Sequence, residues 1–195
     1  VKEAASWFLD GVFLNYNSSY LERMLEQLLD EAESPEVTRF LRAVDVRIDG
    51  FRVEKSPEWR GQRVFVRHEV DGKGYELRLS EESAGTQKLI GLAAYLMTAL
   101  ERGSTVVVDE LDAKLHPKLL RYVILLFKDP AVNKNGAQLI FSSQDVSTMR
   151  NDVFRRDEIW FAARGEGEAS QLWSLADIHE ANGNLVSKNA AFDKQ

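Results

Sequence analysis

Thr105-Val106-Val107-Val108-Asp109-Glu110 is the stretch on which the fold turns. A run of β-branched residues has no polar face, so it reads as a strand buried on both sides. That is the habit of parallel sheets inside α/β layers. The strand delivers two acids at its carboxyl end, where open α/β sheets place their ligands. The first acid of such a pair can hold the water shell of Mg²⁺, which takes few protein carboxylates. The second can orient or deprotonate a water that attacks a phosphate. A strand ending in merely solvated acids has the same sequence, so the pair alone does not choose between chemistry and surface.

Just upstream, Leu89, Leu92, Ala93, Leu96 and Leu100 form one apolar helical stripe, closed by Gly103. Ser80-Glu81-Glu82-Ser83-Ala84-Gly85-Thr86-Gln87 opens it. Small residues there leave backbone N–H groups uncovered, Gly85 permits close approach, and the helix dipole favours an anion such as a γ-phosphate. The plainer reading is an ordinary N-cap at Ser83. Downstream, Leu119 to Phe127 is helical and Leu139-Ile140-Phe141 reads as a second buried strand. Glu158 to Ala162 and Gln171 to Leu175 follow as strands joined by Gly165-Glu166-Gly167, with a polar, loosely held tail after Asp177. Helix, strand, helix, strand and hairpin make an α/β arrangement.

The first half has another texture. Residues 1–33 read as helix from Phe8, Val12 and Phe13 and from Leu21, Met24, Leu25, Leu28 and Leu29, broken near Asn15 to Ser19. Pro35 suits a first helical position for a short helix near 35–43. From residue 44 the pattern alternates: Val44 to Ile48, Phe51 to Val53, Val64 to Val70 and Tyr75 to Leu79. Asp71-Gly72-Lys73-Gly74 turns the last two into a hairpin. The spacing therefore divides the chain into a helical segment 1–43, a β segment with hairpin 44–79, and an α/β segment 80–195.

Composition bounds the possibilities. The 195 residues are 44% hydrophobic and 29% charged, enough for a real core. A net charge of −6 leaves nucleic acid a possible partner that the charge does not support. Without cysteine there is no disulfide, thiolate metal site or cysteine nucleophile. No apolar run approaches the roughly 20 residues that span a bilayer, and no signal peptide is visible, so a cytoplasmic protein without membrane contact is expected. The chain starts at Val1 inside an expected helix and ends at Gln195 without a stop signal, which reads as a piece of a larger protein.

Taken together, the Ser-x-Gly helix start and the apolar-Asp-Glu strand form a specific arrangement. Ser83-Ala84-Gly85-Thr86-Gln87 resembles a divergent ABC signature sequence, Val106 to Glu110 a Walker B strand, and Leu111-Asp112-Ala113-Lys114-Leu115-His116-Pro117 the D-loop that follows. The run from Asp109 to Pro117 is similar to SMC-like and OLD-like ATPases. With Gln138 to Ser143 and Phe154 to Phe161, it looks closest to bacterial predicted ATPases of abortive-infection, anti-phage systems. The resemblance covers roughly residues 75–195. It implies the C-terminal half of an ABC ATPase head, preceded by a helical and β insertion. Two heads would sandwich two ATPs, giving ATP and Mg²⁺ as cofactors and a second head, in a homodimer, as partner.

Position by position, the resemblance implies that Asp109 holds Mg²⁺ through water and Glu110 is the catalytic base or water-orienting group. Ser83, Ala84, Gly85 and Thr86 would meet the γ-phosphate of ATP held by the other head. Asp112 and His116 would lie along the dimer seam. Gln144 stands where the family usually carries a switch histidine; it can donate a hydrogen bond to a γ-phosphate oxygen but is never cationic. No G-x-x-x-x-G-K-[ST] phosphate loop occurs in these residues. The resemblance puts that loop upstream, so the full-length parent is the expected ATP hydrolase and this piece alone is expected to be inactive. The expected role is a nucleotide-controlled switch over a toxin or nuclease effector in phage defence. The alternatives are an SMC/OLD-like DNA repair ATPase, which calls for coiled-coil arms or a nuclease domain, and a non-catalytic interaction lobe.

Other polar groups read as structural. His68 falls in a strand and reads as a structural or surface histidine. Asp177-Ile178-His179-Glu180 lacks a second ligand cluster. Arg155-Arg156 reads as a salt-bridged pair. Arg47, Arg52, Arg60, Arg63 and Arg67 are nearly neutralised by Asp45, Asp49, Glu54, Glu58 and Glu69, as on a solvated β face.

Overall fold

The computed structural model describes residues 12–15, 35–43, 48–55, 62–150, 152–165 and 169–179. In chain order its main elements are β1 (Val12–Asn15), α1 (Pro35–Ala43), β2 (Gly50–Lys55), β3 (Gln62–Val70), β4 (Lys73–Arg78), α2 (Ala84–Arg102), β5 (Thr105–Val108), α3 (Pro117–Lys128), β6 (Gln138–Phe141), β7 (Trp160–Arg164) and β8 (Ser170–Ser174). The chain divides into two compact units, Val1–Ser143 and Gln144–Gln195.

In the first unit β5 is the middle strand of a parallel sheet ordered β1-β5-β6. Thr105, Val106 and Val108 are buried, as the β-branched run requires. The apolar stripe of α2 is buried at Leu89, Leu92, Ala93, Leu96 and Leu100, and α3 buries Leu120, Val123 and Ile124. Phe40 of α1 meets the Tyr122 ring of α3 at 5.9 Å between centroids. Gly103 stops α2 in the left-handed region, φ 70°, where its N–H reaches Ala99 O. A β-carbon is penalised there and glycine is not.

The second sheet is antiparallel, ordered β2-β3-β4. Asp71 and Gly72 both have positive φ, 53° and 73°, and Val70 pairs with Lys73. This is a two-residue turn matched to strand twist, so Lys73 and Gly74, expected in the turn, extend β4 instead. Phe51, Val64 and Val66 are buried in this sheet. Arg52 donates from Nη2 to Glu76 Oε2 at 2.7 Å, with its guanidinium 4.1 Å from the Phe65 ring centroid. Among the described residues, the basic stretch is thus internally compensated at this point.

The second unit is organised by the β7–β8 hairpin. Ile159, Phe161 and Leu175 are buried, with Met149, Phe154, Trp173 and Ile178 packed against them. Arg156 Nη2 donates to Leu175 O at 2.7 Å and to Ile178 O at 3.1 Å, while Arg155 pairs with Asp157 at 2.6 Å. Both arginines therefore hold structure. The strand expected from Glu158 starts at Trp160, because Arg156–Glu158 forms a 3-10 turn whose entry is held by Arg155 N–H donating to Glu158 Oε2.

Two expectations are corrected. Val12–Asn15 is a strand parallel to β5, not part of a helix. A short apolar run fits both periodicities, and pairing to Thr105–Val108 decides it. The rest of the expected helix in 1–33, the Val44–Arg47 part of the first expected strand and the tail after His179 lie outside the described residues. Second, β6 is not buried: Ile140 is 56% exposed. Among the described residues β6 has one sheet neighbour, β5, whereas β5 has two. No helix among the described residues is long and apolar enough to cross a membrane.

Candidate functional site

The acids at the end of β5 are organised by the end of β6. Ser142 N–H donates to Val108 O at 3.1 Å, and Leu111 N–H donates to Ser142 O at 3.0 Å, so the ladder continues past both strands. This brings the Ser142 hydroxyl between the two acids. It donates to Asp109 Oδ1 at 2.5 Å and accepts the Glu110 N–H at 2.8 Å. Asp109 and Glu110 are both exposed, so their carboxylates face solvent at the carboxyl edge of the parallel sheet.

Glu110 has φ 47°. A non-glycine residue held there costs on the order of 1–3 kcal/mol and persists only where its surroundings over-determine it. Those surroundings are visible. Glu110 O accepts from Ala113 N–H at 3.1 Å, closing a turn, and from Lys88 Nζ at 2.6 Å. Lys88 Nζ also donates to Ala113 O at 2.9 Å. Burial pushes the Lys88 ammonium below the usual lysine range. The Asp112, Glu110 and Asp109 carboxylates oppose that shift and Lys114 adds to it. Lys114 closes the turn with a second positive φ, 64°.

The start of α2 is capped by Ser83. Its Oγ accepts the Thr86 N–H at 3.1 Å and lies 2.8 Å from Thr86 Oγ1. The plain capping reading of Ser83 is therefore correct as geometry. Ser83 and Ala84 remain exposed, and Gly85 and Thr86 are half-buried. Gly85 is required for space: a β-carbon there would stand 2.8 Å from Lys114 O. Glu82, one residue before the cap, lies 2.6 Å from His68 Nε2 of β3, with 9% and 19% of the two side chains exposed. His68 is thus structural, tying the antiparallel sheet to the entry of α2.

His116 is the N-cap of α3. Its Nδ1 accepts the Lys118 N–H at 3.2 Å, and Pro117 follows at the first helical position. In that arrangement the neutral ring carries its proton on Nε2. Asp112 is half-buried in the turn. Asp109, Glu110, Asp112 and the Ser83–Thr86 helix start thus gather around Lys88 and the turn 110–114, with His116 immediately after. Gln144 opens the second unit and is exposed. Ser142 and Lys88 were not singled out from sequence. A lone serine after a strand and a lysine inside a helix are too common to carry a signal.

Two acids on one edge, one held by a serine bridge and the other on a strained backbone, with α2 bonded to the same turn through Lys88, stand in a chain whose comparisons support an AAA/ABC-type ATPase domain. The chain belongs to the family described as "AAA domain, putative AbiEii toxin, Type IV TA system", whose model matches residues 3–150. A solved structure described under structural biochemistry of ATP-driven dimerization and DNA stimulated activation of SMC ATPases is similar in fold. Its TM-score is 0.54 at 17% identity, over 91% of this chain and 94% of that one. No curated protein matches. The fold is that of an SMC-like ATPase head, with α1 and the antiparallel sheet β2–β4 preceding α2 and a terminal β-hairpin.

Proposed function

We propose that this chain is the signature and Walker B half of a dimerising ATPase head that acts as a nucleotide-controlled switch. The observation that carries the reading is the Ser142 bridge, which ties the Asp109 carboxylate to the backbone N–H of Glu110 at the carboxyl end of β5. Asp109 keeps one carboxylate oxygen outside that bridge. Mg²⁺ takes one or two protein carboxylates and fills its remaining positions with water and phosphate oxygens, so the donor set fits. Bound Mg²⁺–ATP would supply the electrophilic γ-phosphorus and its charge neutralisation. Glu110 would orient the attacking water and accept its proton. Ser83 to Thr86 would present the helix start to the γ-phosphate held by a second copy, and Asp112 and His116 would line the seam. Gln144 would donate a hydrogen bond to a γ-phosphate oxygen.

These 195 residues hold no G-x-x-x-x-G-K-[ST] loop to grip the β-phosphate, so hydrolysis would need a full-length parent that supplies one, and this piece alone would be inactive. Dimerisation is supported by the fold shared with a protein described for ATP-driven dimerization. The family description, which names a putative AbiEii toxin of a Type IV TA system, supports a toxin-linked role. In the reading proposed here the switch acts in the cytoplasm during phage defence and restrains or releases a toxin or nuclease.

Glu110→Gln in the full-length protein tests the reading. Hydrolysis should fall at least ~100-fold, a loss typical of removing a general base, while ATP should trap closed dimers visible by analytical ultracentrifugation. Normal turnover in Glu110→Gln would end the catalytic assignment and leave a non-catalytic interaction lobe. The same variant in a plaque assay tests the defence role. Strong stimulation of ATPase by added DNA would favour a repair ATPase instead.

A further inference from the structure

We propose that Lys88 is a positioning residue that latches the first turns of α2 onto the backbone of the acid turn, so that events at Ser83–Thr86 are felt at Glu110. The inference rests on the function proposed above and deepens it. Its geometry comes from three places. Lys88 Nζ spans the turn, donating to Glu110 O at 2.6 Å and Ala113 O at 2.9 Å. One helical turn earlier, Gly85 lies so close to Lys114 O that a β-carbon would be 2.8 Å from it. And the two ends of the turn, Glu110 and Lys114, are the residues with φ 47° and 64°.

These contacts divide the labour around Glu110. Ser142 holds its N–H, and Lys88 holds its carbonyl. With the peptide units on both sides of the α-carbon fixed, the direction of the Cα–Cβ bond, from which the carboxylate extends, is fixed too. A lysine suits this task, since its ammonium carries three donors and no acceptor, and the carbonyls take two of them. Its position on α2 matters equally. A phosphate drawn onto the helix start by a second copy would move Lys88 with that helix and pull on the carbonyl of Glu110. The latch therefore couples the partner's nucleotide to this chain's own acid.

Lys88→Met in the full-length protein tests this, with Lys88→Arg alongside. Hydrogen exchange at Leu111, Ala113 and Leu115 should quicken about tenfold in Lys88→Met, the loss of a charged-donor hydrogen bond, while β3–β4 amides keep their wild-type rates. The kcat for ATP should fall at least ~10-fold with KM changed by less than ~3-fold, because the lysine's hydrogen bonds go to the backbone of the acid turn. Lys88→Arg, which keeps the charge and the donors, should recover part of both. Lys88→Gln, with one amide group to donate, gives the same readings at smaller amplitude if the methionine variant does not fold. Unchanged exchange in the turn overturns the latch whether or not the protein hydrolyses ATP. Faster exchange with unchanged kcat overturns the positioning of Glu110. A wild-type protein without ATPase activity refutes the proposed function, and exchange still decides the latch.

Discussion

Ser142→Ala removes one oxygen that serves both acids. The hydroxyl gives Asp109 Oδ1 a hydrogen bond at 2.5 Å and takes one from Glu110 N–H at 2.8 Å. A bond to a charged group contributes roughly 1.5–3 kcal/mol and a neutral one roughly 0.5–1.5 kcal/mol. Ser142, Asp109 and Glu110 are all exposed, so water replaces much of both bonds in the variant. The expected loss is therefore about 1.5 kcal/mol, or a Tm lowered by ~3–6 °C for a chain of this size. Urea unfolding of wild type, Ser142→Ala, Asp109→Asn and the double variant measures it. The cycle should return a Ser142–Asp109 coupling of about 0.5–1 kcal/mol. Ser142→Thr, which keeps the hydroxyl, should stay closer to wild type. In the full-length ATPase, loosening Glu110 should lower kcat about tenfold. A Ser142→Ala protein within ~0.3 kcal/mol of wild type and uncoupled from Asp109 would refute the reasoning. The serine would then be a surface hydroxyl that lies beside two acids without organising them.

Gly85→Ala should destabilise by ~1–2 kcal/mol in thermal unfolding. The clash with Lys114 O outweighs the better helix propensity of alanine, and a neutral result would mean that α2 and the turn slide apart freely. His116→Ala should cost about 1 kcal/mol by urea unfolding through loss of the α3 cap, with His116→Ser close to wild type. Lys88 has a lowered pKa in the fold, so between that value and the ordinary lysine value the unfolded chain binds more protons than the folded one. The unfolding free energy of wild type minus that of Lys88→Met should accordingly rise as the pH climbs toward the ordinary lysine value of about 10.4, and a flat or falling difference would contradict the burial of this group. Gly72→Val should destabilise the β3–β4 hairpin by ~1–2 kcal/mol, read by hydrogen exchange across Phe65–Arg78, since a β-branched residue resists φ 73°.

Local chemistry made part of this molecule legible in its sequence. The β-branched run before Asp109, the Ser83 cap, the Gly103 stop and the Asp71-Gly72 turn each act within a few residues of themselves. Long-range pairing was not legible. Val12–Asn15 looks helical until Thr105–Val108 is present to pair with it. Ile140 looks like core until the neighbours of β6 are known. The same divide runs through the site. Asp109 and Glu110 announce themselves as adjacent acids, but Ser142 reaches them across 33 and 32 positions and Lys88 reaches Glu110 across 22. Neither spacing follows a helical or strand period, so no pattern marks them.

Glu110 occupies a backbone conformation that a glycine would adopt without strain. Glu110→Gly would relax the turn by about 1 kcal/mol and delete the acid at once. Glutamate and glycine codons differ by a single base, so a sturdier and catalytically silent descendant is one mutational step away. Selection for folding alone would drift toward it. A glutamate retained at this position by a lineage would therefore be a record of pressure on what the turn does, acting against the pull of stability.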